Sequence, residues 1–117
     1  MSTSLVARGT ATAAGVVCTC TPPVTVDGFL ILLNGKAVAT AALSVAIEIQ
    51  DANTGTWVAP TQVWGAASAG IANPVSVTNA TAQIVSIPGN WGAIRVNIPS
   101  FGTSTGTFAA TIQSYGD

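Results

Sequence analysis

Apolar side chains recur at every second position over residues 43–50, which form the clearest element of the sequence. They are Leu43, Val45, Ile47 and Ile49, and smaller or polar residues separate them. A period of two places alternate residues on opposite faces of a strand, so this pattern predicts a half-buried β-strand. Residues 51–55 (Asp-Ala-Asn-Thr-Gly) have the composition of a turn, and apolar residues return at 56–59. The sequence therefore predicts a hairpin over residues 43–59 with a loop of about five residues.

A second alternating segment covers residues 93–98, with isoleucine or valine at every second position. Pro99 ends it, because proline cannot donate a ladder hydrogen bond. A Gly- and Thr-rich turn at 102–106 then leads into a last alternating strand at 107–114. We predict that these two strands form a second hairpin, with the C-terminal strand beside residues 93–98.

Several shorter stretches predict weaker strands. These stretches are residues 6–13, 15–20, 75–77 and 82–87. Residues 29–33 are apolar at every position, so we expect a central strand that is covered on both faces. The Asn-Gly-Lys sequence at 34–36 is predicted to be a turn, and residues 65–74 a loop. Good helix formers occur only at 36–42, where no convincing cap accompanies them.

The spacing of these elements predicts the fold class. About seven to eight short strands at intervals of eight to twelve residues are typical of an antiparallel β-sandwich. We therefore expect an all-β protein, with residues 1–117 forming one jelly-roll-like sandwich domain. The N-terminal segment at about 1–20 is expected to be an extended arm that adds a strand to a neighbour's sheet.

Charge is scarce in this sequence. Its 117 residues carry three Lys+Arg, four Asp+Glu and no His, so 6 % of residues are charged where about 25 % is usual. The high apolar content excludes intrinsic disorder, and three cations are too few for electrostatic binding to nucleic acid. A freely monomeric protein generally has a denser surface charge, so we expect other subunits to cover much of this surface. The alternative is a secreted domain whose Ser, Thr and Asn residues supply neutral polarity.

Membrane and export signals are weak. The longest uninterrupted apolar run, at 29–33, has the length of a strand, and the N-terminus lacks the apolar core of a signal peptide. We therefore expect a soluble, cytosolically made chain that does not associate with a membrane.

The residue inventory argues against catalysis. Without His, a serine or cysteine nucleophile has no imidazole base. The carboxylates lie in predicted turns, on an outer strand face or at the terminus, and they are Asp27, Glu48, Asp51 and Asp117. Cys18 and Cys20 would point to the same side of a strand, as buried thiols or as part of an inter-subunit bridge. Too few other ligands are present for a closed metal site, so neither metal nor cofactor is expected.

Four residues are candidates for an interface or a ligand surface. Trp57, Trp64 and Trp91 either pack in the core or against a neighbouring subunit, or form an exposed platform for sugar rings. Arg95 is a cation in the middle of a predicted strand. It either pairs with Glu48, if their strands are neighbours, or makes an inter-subunit contact.

The segment Ile-Val-Ser-Ile-Pro-Gly-Asn-Trp-Gly-Ala-Ile-Arg-Val at 84–96, followed by Gly-Thr-Ser-Thr-Gly-Thr at 102–107, resembles small β-sandwich proteins of tailed-bacteriophage particles. The hairpin at 45–58 resembles the same proteins. This resemblance implies a capsid decoration (cement) protein, or another small head or tail protein, that works without catalysis. The expected partners are copies of itself, most simply in a homotrimer, and major capsid or other virion proteins. The expected location is the virion, assembled in the host cytoplasm.

Two other functions agree with the same residues. One is a carbohydrate-binding or host-receptor-binding module of a phage tail or secreted protein, in which the tryptophans would contact a glycan. The other is a secreted or pilus-like structural domain.

Overall fold

The computed structural model describes residues 5–23, 25–39, 43–65, 69–77 and 81–116. These residues form eleven β-strands and no helix. In chain order the strands are β1 (Val6–Ala11), β2 (Gly15–Cys20), β3 (Gly28–Ala39), β4 (Leu43–Gln50), β5 (Trp57–Val58), β6 (Gln62–Trp64), β7 (Gly70–Ala72), β8 (Val75–Val77), β9 (Ala82–Pro88), β10 (Ile94–Ile98) and β11 (Thr105–Tyr115). The predicted all-β class is confirmed.

The strands form two antiparallel sheets. The six-stranded sheet has the order β1-β11-β3-β9-β6-β7, and the five-stranded sheet has the order β2-β10-β4-β5, with β8 also paired to β4. Within them β1 pairs with β11, β2 with β10, β3 with β9, and β4 with β5. Strands from the first part of the chain thus pair with strands from the later part, so that the chain forms one long two-stranded antiparallel ribbon. Folding that ribbon over brings β11 beside β3 and β10 beside β4, which is the jelly-roll arrangement.

One hydrophobic core fills the space between the sheets. The inward positions of the long strands supply it, because alternate residues of a strand face the same side. The largest fully buried side chains include Phe29, Phe108, Ile31, Leu33, Leu43, Ile47, Ile94, Ile98 and Ile112. The aromatic rings of Phe29 and Phe108 come from β3 and β11, which are neighbours in the six-stranded sheet.

The first predicted hairpin is confirmed. Strands β4 and β5 pair through Ile49 with Val58 and Gln50 with Trp57. In the connecting turn, the backbone amide of Asp51 donates to the Thr56 carbonyl.

The second predicted hairpin is wrong. Strand β10 pairs with β2 and β4 in the five-stranded sheet, whereas β11 pairs with β1 and β3 in the six-stranded sheet. The turn near 102–106 therefore connects the two sheets. Alternation indicates which face of a strand is buried, but it carries no information about which strand lies beside it.

The predicted turn at 34–36 is also wrong, because β3 continues to Ala39. The Asn-Gly-Lys segment forms a β-bulge in β3, where Gly35 and Lys36 together lie opposite Phe108 of β11. There the Asn34 side chain accepts a hydrogen bond from the Lys36 amide (3.0 Å), which replaces a missing ladder bond. Residues 36–39 belong to β3 and therefore do not form a helix. Residues 40–42, the rest of the segment with good helix formers, lie outside the described residues.

Two strands of three residues, β6 and β7, were not predicted and add to the strand count. They are too short to produce a visible alternation. One of them, β7, lies within the predicted loop at 65–74, of which residues 66–68 are not described.

The predicted N-terminal arm is paired within the chain over its described strands. Strand β1 forms one edge of the six-stranded sheet, and β2 forms one edge of the five-stranded sheet. The two strands also pass close together, so that a Cβ on Gly9 would clash with the backbone carbonyl of Val17.

Candidate functional site

The outer side of the six-stranded sheet carries an apolar surface that is open to water. We define the apolar face as Val6, Leu30, Leu32, Trp64 and Ile84. In the sheet register, Leu32 lies opposite Ile84, while Leu30 is aligned with Val6 on one side and Trp64 on the other, each across one intervening strand. Ile84 is 60 % exposed, and Leu30, Val6 and Leu32 are 43 %, 41 % and 36 % exposed.

This surface contradicts the expectation that residues 29–33 are covered on both faces. Phe29, Ile31 and Leu33 are fully buried, but Leu30 and Leu32 face solvent. Shallow depressions of about 220 and 310 Å³ lie between the side chains of the apolar face and their polar neighbours. Uncharged residues such as Thr111 and Gln113 border them.

Sequence reasoning missed Ile84 as part of this surface. The sequence does contain a signal for it. Val85 and Ile87 are the inward residues of β9, and Ile84 is a large apolar residue at a position that alternation assigns to the outer face. A large aliphatic residue out of phase with a half-buried strand indicates an exposed apolar position.

Of the two alternatives for Arg95, the pairing with Glu48 is present on the outer side of the five-stranded sheet. The two residues are direct cross-strand partners on β10 and β4, with 2.6 Å between Arg95 Nε and Glu48 Oε1. The guanidinium carbon also lies 4.3 Å from the centroid of the Trp57 ring. Arg95 is thus engaged within its own chain by an ion pair and a cation–π contact.

Trp91 lies at the rim of a separate pocket of about 430 Å³. One wall belongs to the β4–β5 hairpin and includes Asp51 and Val58, and the other belongs to the loop between β9 and β10. Trp91 is 38 % exposed, and its indole Nε1 donates to the Pro88 carbonyl at 3.0 Å.

The three tryptophans do not share one surface. Trp57 packs against Arg95 on the five-stranded sheet, Trp64 lies on β6 of the six-stranded sheet, and Trp91 lies in a loop. A platform built from all three is therefore not formed. Among the three tryptophans, only Trp91 is both strongly exposed and part of the pocket beside the β4–β5 hairpin.

Both cysteines are buried free thiols. As predicted, they point to the same side of β2, toward the core. Burial raises the pKa of Cys18 to about 11, with a further contribution from Cys20, and burial also raises the pKa of Cys20. Both therefore remain protonated at neutral pH, and their burial keeps them from bridging to another subunit.

Over the described ranges, no group of three or more His, Cys, Asp or Glu side chains is placed to hold a metal ion. The same part of the chain includes no helix with the length and apolar character to cross a bilayer.

No family model and no curated protein matches this sequence. Among solved structures, the fold is similar to that of the SPBc2 prophage-derived protein YomS, with a TM-score of 0.68 and 11 % identity over 97 % of this chain and 92 % of that one. A protein of Bacillus endospore appendages (disulfide-linked pili) matches with a TM-score of 0.42 and 16 % identity, over 100 % and 88 % of the two chains. A chain of the cyanophage Pam1 capsid asymmetric unit matches with a TM-score of 0.36 and 16 % identity, over 99 % and 86 %. The first of these similarities is one of fold, and the other two are too distant to support an argument.

Proposed function

We propose that this protein is a non-enzymatic structural subunit of a tailed-phage virion, and more narrowly a capsid decoration (cement) protein that acts through symmetric contacts. The observation that carries the proposal is the apolar face. Leu30, Leu32 and Ile84 are adjacent exposed side chains on a regular sheet, and a cluster of exposed apolar side chains commonly marks a contact with another protein.

The low surface charge supports the same function. The accessible surface is 5970 Å², so the seven formal charges amount to about one charge per 850 Å². Two of those charges neutralise each other in the Arg95–Glu48 pair. Little electrostatic repulsion therefore opposes the approach of a second copy.

The form of the apolar face suits a broad protein contact. Its side chains come from several adjacent strands of one sheet, and the depressions between them are shallow. Such a surface is suited to packing against another sheet or a flat protein surface. We propose a homotrimer that also contacts major capsid proteins, so that several weak contacts act together and each subunit gains avidity.

The test is the mass of the purified native protein across about a hundredfold range of concentration. We expect a discrete oligomer, with a trimer as the specific expectation, and co-sedimentation of the protein with particles from its own source. A monomer at every concentration that also fails to sediment with particles would contradict the proposal. A dimer or tetramer that still binds particles would retain the assembly function and overturn only the trimer.

A further inference from the structure

The pocket beside Trp91 is a separate feature from the apolar face. It lies at one end of the five-stranded sheet, between the β4–β5 turn and the β9–β10 loop. Its volume of about 430 Å³ falls in the usual range of small-molecule sites. Its lining combines apolar residues (Ile49 and Val58) with polar residues (Gln50, Asp51 and Asn90).

The indole of Trp91 is held in place although it is exposed. Its Nε1 donates to the Pro88 carbonyl, which fixes one edge of the ring. Gly89 lies against the same edge, where an added Cβ would be 3.0 Å from Nε1, and its φ of +113° favours glycine. The ring is therefore preorganised, and a ligand that stacks on it need not immobilise a freely rotating side chain.

Each polar side chain of the pocket is anchored at one end and unpaired at the other. Asp51 Oδ1 accepts from the Asn53 amide (2.8 Å), Asn90 Oδ1 accepts from the Val26 amide (3.2 Å), and Gln50 Nε2 donates to the Gly55 carbonyl (3.2 Å). Among the described residues, Asp51 Oδ2, Asn90 Nδ2 and Gln50 Oε1 have no hydrogen-bond partner. Asp51 and Asn90 thus offer one acceptor and one donor from oriented side chains, whereas Gln50 lies on the same strand face as its cross-strand partner Trp57.

We propose that this pocket binds a neutral saccharide. The C–H face of a sugar ring would stack on Trp91, and its hydroxyl groups would bond to the Asp51 carboxylate and the Asn90 amide. Asp51 is the charged residue of the lining, which contains no Lys or Arg, so an acidic sugar would be repelled. The pocket and the apolar face share no residue, so saccharide binding and assembly can be measured independently.

The test uses the indole N–H resonances of the full-length protein, one each for Trp57, Trp64 and Trp91, in nitrogen-15 correlation spectra. The probes are the methyl glycosides of glucose, galactose, mannose and N-acetylglucosamine, followed by maltotriose, cellotriose and chitotriose, each titrated into the millimolar range. We expect at least one probe to shift the Trp91 resonance in a saturable way and to leave that of Trp64 unchanged.

Three variants locate the site. Trp91→Ala is expected to weaken binding at least about tenfold, and Trp91→Phe, which keeps an aromatic face, should recover part of it. Asp51→Asn retains an acceptor for the Asn53 amide and should weaken binding severalfold. Val16→Ala, which removes an exposed apolar side chain outside both the pocket and the apolar face, is the control and should bind as the parent does.

Two results would overturn the proposal. One is the absence of any saturable shift at Trp91 with all seven probes. The other is unchanged affinity in Trp91→Ala, with the backbone spectrum establishing that the variant is folded. Neither result bears on the native mass, so failure of this site and failure of the assembly function are distinguishable.

Discussion

Leu32 on β3 and Ile84 on β9 are direct cross-strand partners, and both side chains face water on the outer side of the six-stranded sheet. A pair of this kind on an inner face would stabilise the core. Here it forms the centre of the apolar face. The functional proposal therefore rests on the solvent side of this sheet.

A charge at the centre of the apolar face should disrupt assembly. Ile84→Lys would bring a hydrated ammonium group into the proposed contact, and we expect association to weaken about tenfold or more. Ile84 is 60 % exposed, so the fold of the isolated chain should be retained. Native mass spectrometry as a function of concentration measures the effect.

Val16→Lys is the matched control for that experiment. Val16 is 48 % exposed and lies on β2, in the other sheet. We expect this variant to assemble like the parent. Equal loss of assembly in both variants would indicate a general effect of charge and would remove the apolar face as the contact surface.

The Arg95–Glu48 pair should make a modest contribution to stability. Its side chains are 24 % and 16 % exposed, and Trp57 covers the guanidinium group. A double-mutant cycle with Arg95→Ala and Glu48→Ala should give a coupling free energy of about 1 kcal/mol in urea unfolding. Trp57→Ala should reduce the effect of Arg95→Ala, because it removes the cation–π contact. Zero coupling would mean that solvent screens the pair completely.

The buried thiol of Cys18 predicts a loss of stability in alkali. Its pKa is raised by burial from 9.0 to about 11, so folding favours the protonated thiol. The associated stability is fully present below pH 9 and is lost as the pH rises through 11. We expect a loss of up to about 2 kcal/mol across this window. Urea unfolding at about pH 8 and about pH 11 measures it.

Cys18→Ala is the control for this pH dependence. The variant lacks the titrating thiol, so its unfolding free energy should decline less between the two pH values than that of the parent. Parallel declines would assign the alkaline sensitivity to other groups.

Close approach of β1 and β2 predicts sensitivity at Gly9. A Cβ there would clash with the backbone carbonyl of Val17, so Gly9→Ala should destabilise the protein by about 2 kcal/mol. At Gly92 an added Cβ meets no atom within 4 Å, and Gly92→Ala should change stability by less than about 0.5 kcal/mol. Thermal unfolding of both variants compares them directly.

Local patterns predicted the positions of the strands better than the pairing between strands. The alternation at 43–50 predicted strand β4 and its buried face correctly, and the turn at 51–55 predicted its connection to β5. The same reasoning paired 93–98 with the last strand, which lies in the other sheet. A short connection between two alternating strands is equally compatible with a hairpin and with a crossover between sheets.

The candidate sites show a similar division. The sequence offers two alternatives for Arg95, a pair with Glu48 if their strands are neighbours or an inter-subunit contact, and the register places Arg95 opposite Glu48. Trp91 was singled out by its residue type, but its pocket depends on a turn and a loop that are about 40 residues apart in the chain. No local pattern could reveal that proximity.

The sequence by itself determined the all-β class, the long strands, most of their inward faces and the scarcity of charge, because these follow from residue type and a period of two. Only the tertiary structure decided which strands are neighbours and which apolar positions remain exposed. Pairing depends on how distant segments close around a common core, and that closure leaves Leu30, Leu32 and Ile84 on the side opposite the core. The sequence pattern of an apolar residue is the same whether its side chain packs within the chain, contacts a second copy or faces water.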